Sequence, residues 1–166
     1  MIEPRPLDLR ALVTALERHR VRFVVIGGVA AQAHGSPSMT YDLDVCVARD
    51  RENAAALAAA LRDMHAYPRA APAGLPFQLD AQALLSRDLS TWATDFGDLD
   101  TLGEPTPGLR YEDLVANATM ETIAGQRVLV AGLDDLIAMK RAAGRPKDRI
   151  ELEVLGALRE EIDRGG

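Results

Sequence analysis

The chain has 166 residues, a length that suits one domain with one core and would leave two independent domains marginal. Hydrophobic residues make up 48% and charged residues 27%, which excludes a disordered chain; aromatics are only 4%, so the core must rest on Leu, Val, Ile and Ala. A net charge of −6 argues against a general nucleic-acid coat but leaves room for a local basic site. With one cysteine, Cys46, no intramolecular disulfide can form. The opening stretch MIEPRPLDLR has no apolar run to act as a signal peptide, and no segment reaches the ~18 apolar residues of a membrane span. A cytoplasmic location and no membrane partner are expected.

Residues 8 to 20 carry Leu9, Leu12, Val13 and Leu16 on one stripe and predict a helix capped by Asp8. Val21 to Ile26 predicts a buried strand ended by the pair Gly27-Gly28, and Val29 to His34 a short helix. After a loop from Gly35 to Met39, Thr40 to Ala48 alternates. Leu43, Val45 and Val47 face one way; Asp42, Asp44 and Cys46 face the other. Asp50 is placed to cap a helix carrying Leu57, Leu61 and Met64. Tyr67 to Gly74 reads as a loop, Phe77 to Ala81 as a strand, and Leu84 to Thr94 is ambiguous. Asp98 to Leu102 alternates and ends at Gly103. Tyr111 to Ala118 predicts a helix, and Met120 to Ala124 with Arg127 to Ala131 a hairpin across Gly125-Gln126. Leu133 to Ala142 is helical, Gly144 to Pro146 interrupts, and Lys147 to Arg164 forms a last helix anchored by Leu155, Leu158 and Ile162. The pattern is α/β or α+β, a sheet with helices packed on it. One domain over 1–166 is expected, with 133–166 as a C-terminal helical portion packed on the rest.

The chemistry concentrates between Gly27 and Val45. A strand running through two glycines into a helix presents free N–H groups that suit an anion, and glycine lets the ligand approach the backbone. Steric need alone explains many such glycines. Asp42 and Asp44, two apart on a strand, point to one face and repel unless a cation joins them. A hard divalent cation such as Mg²⁺ meets that need, whereas a solvated acidic strand end would not require one. Zinc is not expected, because no histidines and cysteines share a ligand spacing. His34 reads as a helix cap, His19 and His65 as surface residues, and Cys46 as packing. Thr40 is placed to support the aspartate strand, Tyr41 to pack on its other face, and Trp92 and Phe96 to pack the middle region. Lys140 to Arg149 holds five basic residues, and Lys140 shares a helix face with Leu133, Leu136 and Ile137. Snorkelling, a phosphate contact and a pair with Asp42 or Asp44 all remain open for Lys140; Arg141 and Arg145 read as solvated.

The combination GG-V-A followed by G-S-P-S-M-T-Y-D-L-D-V resembles the nucleotidyltransferase superfamily with the DNA-polymerase-beta-like fold. Thr94 to Leu102, T-D-F-G-D-L-D-T-L, looks like the third-acid strand of small bacterial members, with Asp100 the match and Asp98 the fallback. Leu133 to Asp148 is similar to a segment of the abortive-infection and toxin–antitoxin nucleotidyltransferase toxins, which places a lysine on one helix and a Lys-Asp pair opening the next, here Lys140 and Lys147-Asp148. The resemblance implies a mixed twisted sheet flanked by helices. It implies that Asp42, Asp44 and Asp100 hold Mg²⁺ (Mn²⁺ as the alternative), and that Gly27, Gly28, Thr40, Lys140 and Lys147 serve the nucleotide. One departure stands out: Ser38 occupies a place where many relatives carry arginine.

The expected reaction is transfer of a nucleoside monophosphate from an NTP to an acceptor, with release of pyrophosphate. RNA (a tRNA end in particular), a protein side chain or a small molecule such as an antibiotic are the acceptor classes. The toxin resemblance adds a cognate antitoxin as a partner, and the small size adds a homodimer. The alternative is a non-catalytic nucleotide- or partner-binding protein of the same fold.

Overall fold

The computed structural model describes residues 3, 5–72 and 74–165; Met1, Ile2 and Pro4 of the opening stretch, Ala73 of the predicted loop and Gly166 lie outside it. Helix α1 (Leu9–Arg18) starts where the Asp8 carboxylate accepts the Ala11 N–H at 3.0 Å, and it buries Leu12, Val13 and Leu16. Arg20, at φ +57°, turns the chain into β1 (Phe23–Ile26), whose four residues are all buried. Helix α2 (Gly27–Ala33) begins at the glycine pair, as expected. Strand β2 (Asp42–Val47) follows, then α3 (Arg51–Asp63), capped by Asp50 through the Asn53 N–H at 2.9 Å.

The middle of the chain departs most from expectation. Tyr67–Pro68, read as loop, is a two-residue strand β3. The strand expected over 77–81 is absent: Asp80 caps α4 (Ala81–Leu85) by accepting the Ala83 N–H at 2.8 Å, so Ala81 opens a helix. The ambiguous stretch resolves into the end of α4 and strand β4 (Leu89–Thr94), which turns into β5 (Gly97–Leu102). Trp92 is buried there and stacks at a tilt on Phe77.

Helix α5 (Tyr111–Asn117) leads to the hairpin of β6 (Thr119–Ile123) and β7 (Gln126–Val130). The turn residues are Ala124 (φ +49°) and Gly125 (φ +84°), one position earlier than the expected Gly125-Gln126, because a two-residue hairpin turn of this hand needs positive φ at both centres. Helix α6 (Leu133–Ala143) ends on Gly144 at φ +61°, and α7 (Pro146–Gly165) opens on proline, which has no N–H to satisfy. Leu155 is fully buried, but the expected anchor Ile162 is 53% exposed.

The seven strands form one mixed sheet in the order β3-β4-β5-β2-β1-β7-β6. Strand β1 pairs antiparallel with β2 and parallel with β7, while β2 pairs parallel with β5. Alternation on β2 puts Leu43, Val45 and Val47 into the core, with Leu99 of β5 opposite Leu43. Helix α2 packs against β2 and α6, and α6 packs against α7. These packings carry the start of β2, the start of α2 and the basic stretch around Lys140 and Arg145 to one side of the sheet.

Candidate functional site

The register of β2 against β5 builds the site. Asp42 lies opposite Asp98, and Asp44 opposite Asp100, so two facing pairs of carboxylates stand on one sheet face. Like charges directly across a ladder are destabilising unless compensated. One oxygen from each of Asp42, Asp44 and Asp100 lies within 4.8 Å of the others. Burial first, then the charges of Asp42 and Asp100, push Asp44 up to about 7; Lys140 pulls in the other direction. Asp100 is also raised by burial, against the opposing influence of Arg69. The cluster therefore holds more negative charge than its surroundings neutralise, and its three oxygen donors fit a hard divalent cation.

The glycine pair is fixed by this cluster. Gly27 has φ +66°, and a Cβ there would lie 2.1 Å from Oδ2 of Asp44. A Cβ on Gly28 would lie 2.8 Å from Oγ1 of Thr40. Both glycines let α2 start directly over the aspartate strand, with no side chain capping its first turn. Thr40 donates its hydroxyl to the Asp42 carbonyl at 3.2 Å. The preceding loop is tied down by Gln32, which donates to the Ser38 carbonyl at 2.8 Å. Tyr41 does not pack on the other strand face as expected: it is 77% exposed, because it precedes the first ladder residue.

A cleft of about 160 Å³ opens beside Asp44 and Gly27, walled by Leu136, Met139 and Leu155 and rimmed by Lys140 and Arg145. Lys140 lies close enough to act on Asp44 through its charge, but its ammonium pairs with Asp148 at 3.2 Å. Arg145, expected to be solvated, also binds Asp148, with Nε at 2.8 Å. Lys147 is exposed on the opening turn of α7 and makes no ion pair among the described residues. His34 caps α2 as expected, and its Nε2 donates to the Ala131 carbonyl at 2.8 Å. Cys46 is buried, and burial pushes its thiol up to about 12, which leaves it inert.

Sequence reasoning missed Arg69, and it missed that Arg145 and Lys140 share Asp148, a residue it had named only beside Lys147. Asp148 is 1% exposed, and Arg145 with Lys140 holds its carboxyl down to about 2. Asp148→Ala leaves two cations without their buried partner and is expected to lower stability by about 3 kcal/mol in urea unfolding. The sign with pH follows from the lowered value. The wild-type advantage over this variant is full above the ordinary 3.8 and fades as pH falls from there through about 2.

No family model and no curated protein sequence matches the chain. Solved structures do match it. TM1012 of Thermotoga maritima, a proposed nucleotidyltransferase, superimposes with a TM-score of 0.57 at 17% identity, covering 94% of this chain and 91% of that one. The antibiotic-resistance factor ANT(2'')-Ia in solution gives 0.54 at 14% identity, covering 94% and 89%. ANT(2'')-Ia in complex with adenylyl-2''-tobramycin gives 0.53 at 16%, covering 93% and 96%. The fold is therefore the one these nucleotidyltransferases share, a seven-strand mixed sheet flanked by helices.

Proposed function

We propose that the protein is a divalent-cation-dependent nucleotidyltransferase that moves a nucleoside monophosphate from an NTP to a hydroxyl-bearing acceptor. The observation that carries this reading is the convergence of Asp42, Asp44 and Asp100 at the start of α2. The nucleotidyltransferase fold of the structural neighbours supports it.

Asp42, Asp44 and Asp100 would hold Mg²⁺ or Mn²⁺. Bound there, the cation supplies neutralisation of phosphate charge and acidification of the acceptor hydroxyl. The chain's own groups do the rest. The N–H groups at Gly27 and Gly28 receive phosphate oxygens at the start of α2. Leu136 and Met139 offer an apolar wall for the nucleoside, in the cleft that begins at Asp44. Lys140 contributes positive charge from its rim. Asp100 accepts the acceptor's proton. The new bond joins the acceptor oxygen to the α-phosphorus, the bond from that phosphorus to the bridging oxygen breaks, and pyrophosphate leaves. Catalysis is then positioning and charge neutralisation, with no covalent intermediate required.

ANT(2'')-Ia is described with adenylyl-2''-tobramycin, which favours a small-molecule acceptor. The resemblance of Leu133 to Asp148 to the toxin group favours tRNA or protein, with an antitoxin as partner. Incubation with α-labelled and γ-labelled NTP and these three acceptor classes separates them. Label from the α position entering one class, with equimolar pyrophosphate, is expected. Transfer of γ label would make the protein a phosphotransferase and overturn the reading.

A further inference from the structure

The loop before Asp42, from Gly35 to Tyr41, contains no basic residue, and the nearest lysine across the cleft is occupied by Asp148. The cation that does touch the carboxylates comes from the opposite direction. Just past β3, Arg69 donates its backbone N–H to the Thr91 carbonyl at 3.0 Å. Thr91 lies opposite Asp100, and Asp100 opposite Asp44, so Arg69 belongs to the same cross-sheet row as the two central acids. Its guanidinium spans both carboxylates of β5: Nη2 is 2.9 Å from Asp100 and Nη1 3.5 Å from Asp98. Among the described residues it is the one cation ion-paired to the four facing aspartates.

We propose that Arg69 is the exchangeable counter-ion of this cluster. It holds Asp100 until a divalent cation takes that carboxylate, then stays tethered to Asp98, where its guanidinium meets the anionic substrate. The inference rests on the nucleotidyltransferase reading of the site. Three features carry it. Asp98 lies outside the group of three acids whose oxygens converge, so it is free to keep Arg69. The main chain of Arg69 is fixed on β4, so exchange needs only a side-chain rotation. A guanidinium has five donors in a rigid fork, so giving up one carboxylate leaves it a partner and donors to spare for phosphate. At 33% exposed, its side chain has access to solvent and to a ligand.

The test compares wild type, Arg69→Gln and Arg69→Lys by two readouts at one pH. The first is binding of Mn²⁺ alone, followed by electron paramagnetic resonance. The second is calorimetric binding of a non-hydrolysable α,β-methylene NTP with saturating Mg²⁺. Arg69→Gln removes the competing cation and should bind Mn²⁺ about fivefold more tightly. It also removes a phosphate partner and should bind the analogue about tenfold more weakly. Arg69→Lys keeps the charge and should restore most of both values. A residue that merely supported the strand would weaken both affinities together. Such a parallel loss, or no change in either, overturns the proposal while leaving the metal site standing if wild type binds Mn²⁺. Failure of wild type to bind Mn²⁺ overturns both.

Discussion

Asp44→Ala is expected to cut the proposed cation-dependent nucleotide transfer severely while leaving the protein folded and slightly more stable. Asp44 sits in the centre of the cluster, opposite Asp100 and two residues from Asp42, and its neighbours resist its ionisation. On the proposed reading, removing it takes away one of the three carboxylates that would hold the cation, so a loss of roughly 10³-fold in turnover is expected. Mn²⁺ binding at the cluster should disappear with it. Stability should move the other way, by about 1 kcal/mol in thermal unfolding near pH 8, because there Asp44 is ionised although buried beside Asp42 and Asp100, and the variant removes that charge. A residue kept for packing would show the reverse: retained binding and reduced stability. Asp44→Asn serves as the isosteric control and should behave alike.

Gly27→Ala should damage both the fold and the site, through one added methyl group. Gly27 sits at φ +66°, which strains any L side chain, and its Cβ would stand 2.1 Å from Oδ2 of Asp44. The Asp44 side chain leaves the methyl no room, so Asp44 must rotate away. A stability loss of about 3 kcal/mol is expected, together with loss of Mn²⁺ binding. The double variant Gly27→Ala with Asp44→Ala removes the clash and should recover part of that loss, a coupling that additive single effects would not give. Gly28→Ala meets Thr40 instead and has no positive φ to violate, so it should cost less and leave Asp44 in place.

Much of this site could be read from residue pattern because it lies on regular structure. Period-two alternation placed Asp42 and Asp44 on one face, and the resemblance of Thr94 to Leu102 to a third-acid strand pointed to Asp100, with Asp98 as the fallback. What periodicity could not supply was register: nothing in the sequence says that Asp44 faces Asp100, and only the parallel pairing of β2 with β5 does. Arg69 was illegible for a related reason. It follows a two-residue strand inside a Pro- and Gly-rich stretch, and so short an element has no period to detect. The strand expected over 77–81 failed because the capping chemistry of Asp80 outweighed a short apolar run. Arg145 read as solvated because it stands just before the first residue of α7, outside any helical stripe, and only the turn into that helix brings it onto the buried Asp148 three residues on. The sequence pattern fixed which residues could carry charge chemistry; tertiary pairing decided which of them meet.

The most direct measurement is calorimetric titration of the protein with each of the four NTPs, in Mg²⁺ and in EDTA. The expected result is binding in Mg²⁺ that is lost in EDTA and lost again in Asp44→Ala. Binding that persists unchanged in EDTA and in the variant would place the nucleotide away from the carboxylates and contradict the assignment of this site. No binding under any condition would contradict a stand-alone nucleotidyltransferase.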